Sequence, residues 1–258
     1  MVIIVIDVWD ITIPELTGQE NRKLYIYLPN SYNEKPDEYY PVLYMFDGQN
    51  VFFDSDATYG KSWGLKEYLE YTNTQMIVVA PACNQNPDNG RLKEYTPYPF
   101  KDKTFGNIKS LGKITMEWFV NELKPTIDNT FRTLSDRNNT FIAGSSMGGL
   151  MSLYAILEYN HIFSRAAALS PSIWTGPQKL AKMIKNAILS RYCSLYGLWY
   201  RGTSTIQTYD TKKFAMISSM LMKKNIRLNA RIVPNGTHSE ASWEKQIPFF
   251  VETLLYEK

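Results

Sequence analysis

The sequence predicts an α/β protein with a mainly parallel central sheet, an antiparallel hairpin at its start and helices on both faces. After residue 40, short apolar runs rich in β-formers alternate with amphipathic helical patterns, which is typical of βαβ units. Before residue 40, two strand-like runs are separated by a polar stretch, which favours a hairpin. With 258 residues, 44% of them hydrophobic, the chain can bury one large core, and we expect a single domain over 1–258.

The individual elements follow from the same patterns. The hairpin strands are expected at 5–13 and 23–28, and the polar stretch between them contains Gly18 and Asn21. Short apolar runs predict the later strands at 42–46, 76–80, 141–144, 165–170, 195–200 and 228–233. Helical spacing of apolar residues predicts helices at 114–127, 149–159, 178–189, 211–224 and 243–256. The stretch 81–112 is long for a plain connection, and we expect it to line a cleft.

Composition excludes several classes of protein. The 28 basic and 25 acidic residues are scattered, so no concentrated field favours nucleic acid or anionic lipid. No stretch is apolar for long enough to span a membrane, and the apolar start is interrupted by Asp7, so it predicts a strand rather than a signal peptide. Cys83 and Cys193 lack disulfide or metal-ligand spacing. We expect a cytoplasmic protein, and its oligomeric state stays open, a homodimer included.

The most informative segment is Gly144-Ser145-Ser146-Met147-Gly148, which follows a strand pattern and precedes a helical one. This G-x-S-x-G spacing in a strand–turn–helix context predicts the nucleophile elbow of an α/β-hydrolase fold, with Ser146 as the nucleophile. The glycines let the strand and the helix approach each other closely. Ser145 is expected to face away from the cleft.

A serine hydroxyl needs a nearby base, and the chain has two histidines. His161 lies at the end of the helix after Ser146, where a cation is commonly found for structural reasons. His238 lies in a loop between a predicted strand and the last helix, downstream of the nucleophile as the usual chain order requires. We therefore predict His238 as the general base.

The oxyanion hole is predicted from two segments. The N–H of Met147 lies at the N-terminus of the helix after the elbow and points towards the developing oxyanion. The second donor is expected in the loop after the strand at 42–46, where the N–H of Gln49 is the first choice and that of Gly48 the next.

The triad acid is ambiguous in the sequence. It should follow the strand at 195–200, and the first carboxylate there is Asp210. Asp210 could also cap the helix predicted to start near Thr211. Both interpretations stay open, as does a Ser–His dyad without an acid.

These residues resemble the putative esterase family that includes enterochelin esterases, feruloyl and acetylxylan esterases and the esterase D branch. The matching stretches cover nearly the whole chain: YPVLYMFDGQNVF, LKPTIDNTFRT, FIAGSSMGGLMSLYAI, LSPSIW, and His238-Ser239-Glu240 followed by Trp243. The resemblance implies hydrolysis of a small-molecule carboxylic ester without a metal or organic cofactor. The family's Gly-Thr-x-Glu/Asp is here Gly202-Thr203-Ser204-Thr205, so the usual acid position carries no carboxylate.

The resemblance leaves the substrate open among small acyl esters, aromatic acyl-sugars and siderophore-type lactones. Aromatic side chains that could line the cleft suggest Trp174 and Tyr95 as substrate-binding residues. The missing acid leaves one alternative from another class, a binding protein on the same fold whose catalysis has decayed.

Overall fold

A computed structural model describes residues 6–189, 193–201, 205–224 and 226–256, and within these it gives only the backbone of 199–201 and 205–210. The described strands, in chain order, are β1 Ile6–Thr12, β2 Asn21–Tyr27, β3 Val42–Met45, β4 Ile77–Pro81, β5 Phe100–Asp102, β6 Gly106–Ile108, β7 Thr140–Ser145, β8 Arg165–Leu169, β9 Ser194–Arg201 and β10 Arg227–Pro234.

Eight of these strands form one sheet in the order β1-β2-β4-β3-β7-β8-β9-β10, and β5 pairs only with β6. Strand β2 is antiparallel to both β1 and β4. The remaining pairs in the large sheet are all parallel. The predicted fold class is therefore confirmed, including the N-terminal hairpin, although residue 5 of its first predicted strand lies outside the described residues.

The described helices flank this sheet. They are α1 Pro14–Thr17, α2 Leu65–Tyr71, α3 Gly90–Glu94, α4 Gly112–Trp118, α5 Lys124–Thr130, α6 Met147–Glu158, α7 Pro177–Asn186, α8 Thr205–Met222, α9 Glu240–Glu244 and α10 Ile247–Leu255. Helix α6 packs on β7 and β8, whereas α10 packs on β8 and β9.

The central strands are buried on both faces, as expected for parallel strands covered by helices. Strand β7 is buried at every position. Its side chains alternate between two core clusters: Phe141 packs with Phe250 of α10, and Ile142 packs with Leu150 of α6. Both faces of β7 are therefore anchored in the core, and its carboxyl end is held where the Ser146 turn begins.

Four predicted elements differ from the structure. The helix predicted at 114–127 contains a π-helical turn, Phe119–Leu123, just before Lys124 and Pro125. Proline has no backbone N–H and its ring clashes with the carbonyl four residues earlier, so the regular α-helical hydrogen bonds cannot continue through it. The helix predicted at 243–256 is divided into α9 and α10, with Pro248 in the first turn of α10. Helix α8 starts at Thr205, six residues earlier than predicted. The stretch 81–112 contains α3 and the β5-β6 hairpin.

No helix in the described part of the chain is long and apolar enough to cross a membrane.

Candidate active site

The turn between β7 and α6 holds Ser146 in a strained conformation. Its φ of 57° and ψ of −117° lie in a region that residues other than glycine rarely adopt. Hydrogen bonds fix this geometry: its N–H donates to Leu169 O at 2.9 Å, and its carbonyl accepts from Leu150 N and Ser172 N, each at 3.0 Å. The strain therefore persists because the surrounding backbone over-determines it, as is common at functional sites.

Two glycines of the G-x-S-x-G spacing allow this turn. A Cβ on Gly144 would lie 2.7 Å from the carbonyl carbon of Gly148, and a Cβ on Gly148 would lie 2.9 Å from Cβ of Phe46. Neither distance is compatible with an undisturbed backbone. The elbow is consequently the shape that the sequence predicted, and Ser145 is buried beneath it.

The hydroxyl of Ser146 is half-buried at the edge of the sheet. Its Oγ lies 3.4 Å from Ser172 Oγ, and either hydroxyl could donate. No hydrogen bond joins it to His238 among the described side chains. Catalytic hydrogen bonds are often long or poorly aligned before substrate binds. The lack of a Ser146–His238 hydrogen bond therefore does not exclude His238 as the base.

The second predicted oxyanion segment is a tight turn after β3. Asp47 has a φ of 62° and starts the 3-10 turn Gly48–Asn50. Gly48 is required there, because a Cβ would overlap the carbonyl oxygen of Ala80. The side chain of Gln49 is held at both ends by Cys83, whose N–H donates to Oε1 at 3.1 Å and whose Sγ accepts from Nε2 at 3.2 Å.

The two predicted donors of the oxyanion hole have unused N–H groups. Within the described chain, neither the N–H of Gln49 nor that of Met147 donates to a protein atom. A free N–H at a helix start and another in a rigid turn are the arrangement that stabilises an oxyanion.

An Asp–Arg pair next to this turn escaped the sequence analysis as a functional element. The carboxylate of Asp47 accepts from Arg91 Nε at 2.6 Å and from Nη2 at 2.7 Å, and the Asp47 side chain is 4% exposed. The N–H of Asp47 donates to Tyr95 Oη at 3.3 Å. In the sequence, Asp47 follows a predicted buried strand and could be noticed as a carboxylate there. Arg91 lies in α3, within the long 81–112 segment, and no local sequence pattern distinguishes it from other arginines.

The predicted base, His238, lies just before α9. Its ring meets that of Trp243 edge to face, with centroids 5.0 Å apart and an interplanar angle of 80°. The residue is open to solvent on its other side. Burial of the ring and the positive charge of Arg91 both lower the pKa of His238 from its ordinary value of 6.5. This shift favours the neutral imidazole, the form in which a general base accepts a proton.

A carboxylate two residues after the base, Glu240, binds the oxyanion turn. Glu240 is 6% exposed, and its Oε1 accepts from Asn50 Nδ2 at 3.3 Å. Burial raises the pKa of this carboxyl. The contact joins the His238 loop to the oxyanion turn, so the two segments are fixed relative to each other.

The backbone at the predicted acid lies in a helix rather than before one. Asp210 is the sixth residue of α8, so the expectation that it caps a helix starting near Thr211 is wrong. Its side chain and that of Thr205 lie outside the described part of the structure, as do residues 202–204 altogether. Among the described side chains, no carboxylate forms a hydrogen bond with His238.

The two predicted substrate contacts differ in position. Trp174 is half-buried two residues after Ser172, and its ring packs against those of Phe100 (5.5 Å) and Phe105 (6.3 Å). Tyr95 is 1% exposed, and its hydroxyl accepts the N–H of Asp47. The structure thus corrects the prediction for Tyr95: it supports the oxyanion turn from below and has no surface for a substrate.

A trough of about 500 Å³ opens beside Gln49. Its lining includes five side-chain amides, the cation Arg91 and the carboxylate Asp56, together with apolar side chains such as Pro87 and Leu92; the amides are Gln49, Asn84, Gln85, Asn86 and Asn89. The described residues contain no group of three histidine, cysteine, aspartate or glutamate side chains that could hold a metal ion.

Comparison with known proteins agrees with this geometry. Residues 16–254 match the protein family described as "Putative esterase". The Bacillus subtilis protein "Uncharacterized protein YbbA" is 28% identical over 157 residues, which are 60% of this chain and 58% of that protein. The "Endo-1,4-beta-xylanase/feruloyl esterase" of Xylanibacter ruminicola is 31% identical over 153 residues, which are 56% of this chain and 19% of that protein. The matches thus span less than two thirds of either relative.

Solved structures share the fold. The crystal structure of an IroE-like serine hydrolase from Shewanella oneidensis superposes with a TM-score of 0.74 over 95% of this chain and 78% of that one. Its sequence is 20% identical, so the likeness concerns the fold alone.

Proposed function

The chain belongs to the "Putative esterase" family, and from that premise we propose that it hydrolyses a small-molecule carboxylic ester through an acyl-enzyme on Ser146. One observation carries the proposal. The strained turn after β7 carries the Ser146 hydroxyl next to the unused N–H of Met147, and the chain also has the unused N–H of Gln49 after β3 and a histidine of lowered pKa after β10.

The reaction follows from these groups. His238 takes the proton from Ser146 Oγ as that oxygen attacks the ester carbonyl carbon, and the carbonyl oxygen becomes an oxyanion. The oxyanion collapses, the bond to the alcohol breaks, and His238 gives its proton to the departing alcohol. A water molecule then attacks the acyl carbon, with His238 again accepting a proton, and Ser146 is released together with the carboxylic acid.

The oxyanion is stabilised by three groups in this proposal. The N–H groups of Met147 and Gln49 supply two hydrogen bonds. Arg91 supplies positive charge, because Asp47 holds its guanidinium at the base of the oxyanion turn. The same charge disfavours the imidazolium form of His238 before substrate arrives. Arg91 thus keeps the base ready and then offsets the negative charge that forms.

The base works without a carboxylate partner in this proposal, as a Ser–His dyad. Thr205 at the family's usual acid position supports it. We predict that Asp210→Asn changes kcat by less than about threefold, whereas loss of a true triad acid costs a factor on the order of ten thousand. Steady-state kinetics of the folded variant on a p-nitrophenyl ester decide between the two, and a loss of the larger size would restore the triad.

The proposed substrates are small acyl esters, aromatic acyl-sugars and siderophore-type lactones. The aromatic side chains around Trp174 support an aromatic group on one side of Ser146. The side-chain amides in the trough beside Gln49 support a group that carries hydroxyls. A panel of p-nitrophenyl acyl esters, feruloyl sugars and catecholate lactones ranks these classes by kcat/KM.

Covalent labelling tests the proposal directly. A fluorophosphonate probe is expected to label the wild-type protein and to spare Ser146→Ala, which should also lose ester turnover. Ser145→Ala is the matched control, because this neighbouring serine is buried beneath the turn and should leave labelling intact. An intact protein that is not labelled would favour the second candidate, a binding protein on this fold, which the missing acid supports.

A further inference from the structure

Trp243 forms the wall against which the base is held. It lies in α9 and is 4% exposed, and its ring contacts that of His238 at a centroid distance of 5.0 Å. His238 has no hydrogen-bonded carboxylate among the described side chains. The ring described against its imidazole is the indole of Trp243, so packing on this indole can orient the imidazole.

The indole is itself fixed from two directions. Its Nε1–H donates to Ser170 Oγ at 3.2 Å, which satisfies the one polar group of a buried tryptophan. Its ring stacks on that of Trp63, with centroids 5.8 Å apart and an interplanar angle of 27°. Because the indole of Trp243 is held in place, it can restrict the position of the His238 ring that packs against it.

Ser170 is an unusual anchor for this contact. It follows β8 with a φ of 46°, which is strained for a residue other than glycine. Its side chain is buried, and its N–H donates to Leu198 O at 2.8 Å, so the position is tied to β9. A strained serine at this point needs an explanation, and its hydroxyl supplies the acceptor for Trp243.

The same short segment also touches the nucleophile. Two residues after Ser170, Ser172 donates its N–H to the carbonyl of Ser146 at 3.0 Å, and its Oγ lies 3.4 Å from Ser146 Oγ. The segment Ser170–Ser172 therefore contacts the nucleophile Ser146 through Ser172 and contacts Trp243 through Ser170.

We propose that Ser170 and Trp243 are positioning residues that hold the imidazole of His238 at a fixed place relative to Ser146. They take over the orienting part of a triad acid's task, but they supply no negative charge to the imidazolium. This inference rests on the proposed function, because it assigns roles in the same acylation step.

A double-mutant cycle tests the pair. Trp243→Phe keeps an aromatic ring but removes the N–H, and Ser170→Ala removes the acceptor. Each change should lower kcat on p-nitrophenyl acetate about tenfold with KM unchanged, because a misplaced base weakens only the transition state. The double variant should lose no more than the worse single variant, since all three lose one contact.

The pH profile gives an independent readout. Phenylalanine is smaller than tryptophan and leaves more room for water at the ring of His238. Because burial lowers the pKa of His238, the acid limb of kcat/KM should move to higher pH in Trp243→Phe. A purely structural role for Trp243 would not move this limb.

The matched control is Trp118→Phe. Trp118 is the last residue of α4, is similarly buried at 7% exposed, and packs edge-on against Phe119. It should lower the melting temperature without changing kcat of the folded enzyme. If Ser170→Ala does not fold, Ser170→Gly removes the same hydroxyl and relieves the strained φ.

The outcomes separate the two proposals. Folded single variants with wild-type kcat, or losses that multiply in the double variant, would overturn the roles of Ser170 and Trp243 while leaving the esterase intact. A wild-type protein with neither ester turnover nor fluorophosphonate labelling would contradict the proposed function, and this inference with it, before any variant is compared.

Discussion

At the scale of single residues, the site depends on charges that are held in place by burial. Asp47 and Arg91 form a bidentate ion pair at the base of the oxyanion turn. Breaking such a pair is costly, because it leaves one buried charge without its partner. The pair therefore fixes the Arg91 guanidinium against the first residue of the oxyanion turn, and its positive charge contributes to the lowered pKa of His238.

Removing the positive charge tests this arrangement. Arg91→Gln should lower kcat about a hundredfold, the usual size of the loss when one oxyanion donor is removed. It should also raise the pKa of His238, because Arg91 disfavours the imidazolium. The kcat/KM of the variant should then begin to fall at a higher pH as the solution is acidified, since protonated His238 cannot accept the serine proton.

NMR titration checks the pKa directly. The chain has two histidines, so His161→Ala assigns their signals. Arg91→Lys is the control, because it keeps a positive charge but not the two-pronged hydrogen bonds. A folded Arg91→Gln enzyme with wild-type kcat and an unshifted His238 signal would show that Arg91 has no part in the reaction.

Residue-level prediction is strongest where one short segment contains the whole signal. The turn at Ser146 was predictable because the glycine spacing, the strand and the helix are adjacent in sequence. The roles of Ser146, Met147 and His238 in the reaction stay predictions. Arg91 could not be predicted, since its contact with Asp47 joins positions 44 residues apart. Tyr95 was misassigned because an aromatic residue in a loop gives no local sign of whether it is buried.

At the scale of elements, the oxyanion turn is placed by its contact with β4. Gly48→Ala should displace this turn, because the new Cβ would overlap Ala80 O. We expect a large loss of kcat together with a lowered melting temperature. Gly197→Ala in β9 is the control: its Cβ would lie 3.5 Å from Phe214, an ordinary contact, so the change should be tolerated. Equal activity in both variants would show that the turn is not constrained as described.

Element boundaries were harder to predict than element types. The strands of the sheet follow the apolar runs closely, because burial on both faces leaves a continuous signal. The observed helices differ from the predicted ones near Pro125 and Pro248. The apolar spacing continues past these prolines, but a proline cannot donate the backbone hydrogen bond that a continuous helix needs. Helix α8 extends beyond its apolar pattern to Thr205, and that extension placed Asp210 inside a helix rather than at its start.

At the scale of the whole molecule, the sheet order determines which segments meet. The predicted alternation of strands and helices implied a parallel sheet, but the order in which β4 lies between β2 and β3 depends on long-range pairing that local patterns do not contain. This order brings the turns after β3, β7 and β8 to one edge, where ligands bind in open α/β sheets. We propose that the chain acts as one domain, because the large sheet runs from β1 to β10.

The central claim, an acyl-enzyme on Ser146, is tested most directly by pre-steady-state kinetics. Rapid mixing with a p-nitrophenyl ester should release a burst of p-nitrophenol of about one equivalent per site, and mass mapping of acid-quenched protein should locate the acyl group on the peptide containing Ser146. If deacylation is faster than acylation, no acyl-enzyme accumulates and the time course is linear, and the loss of turnover in Ser146→Ala then decides. An acyl group found on another residue, or ester turnover that persists in Ser146→Ala, would contradict the account.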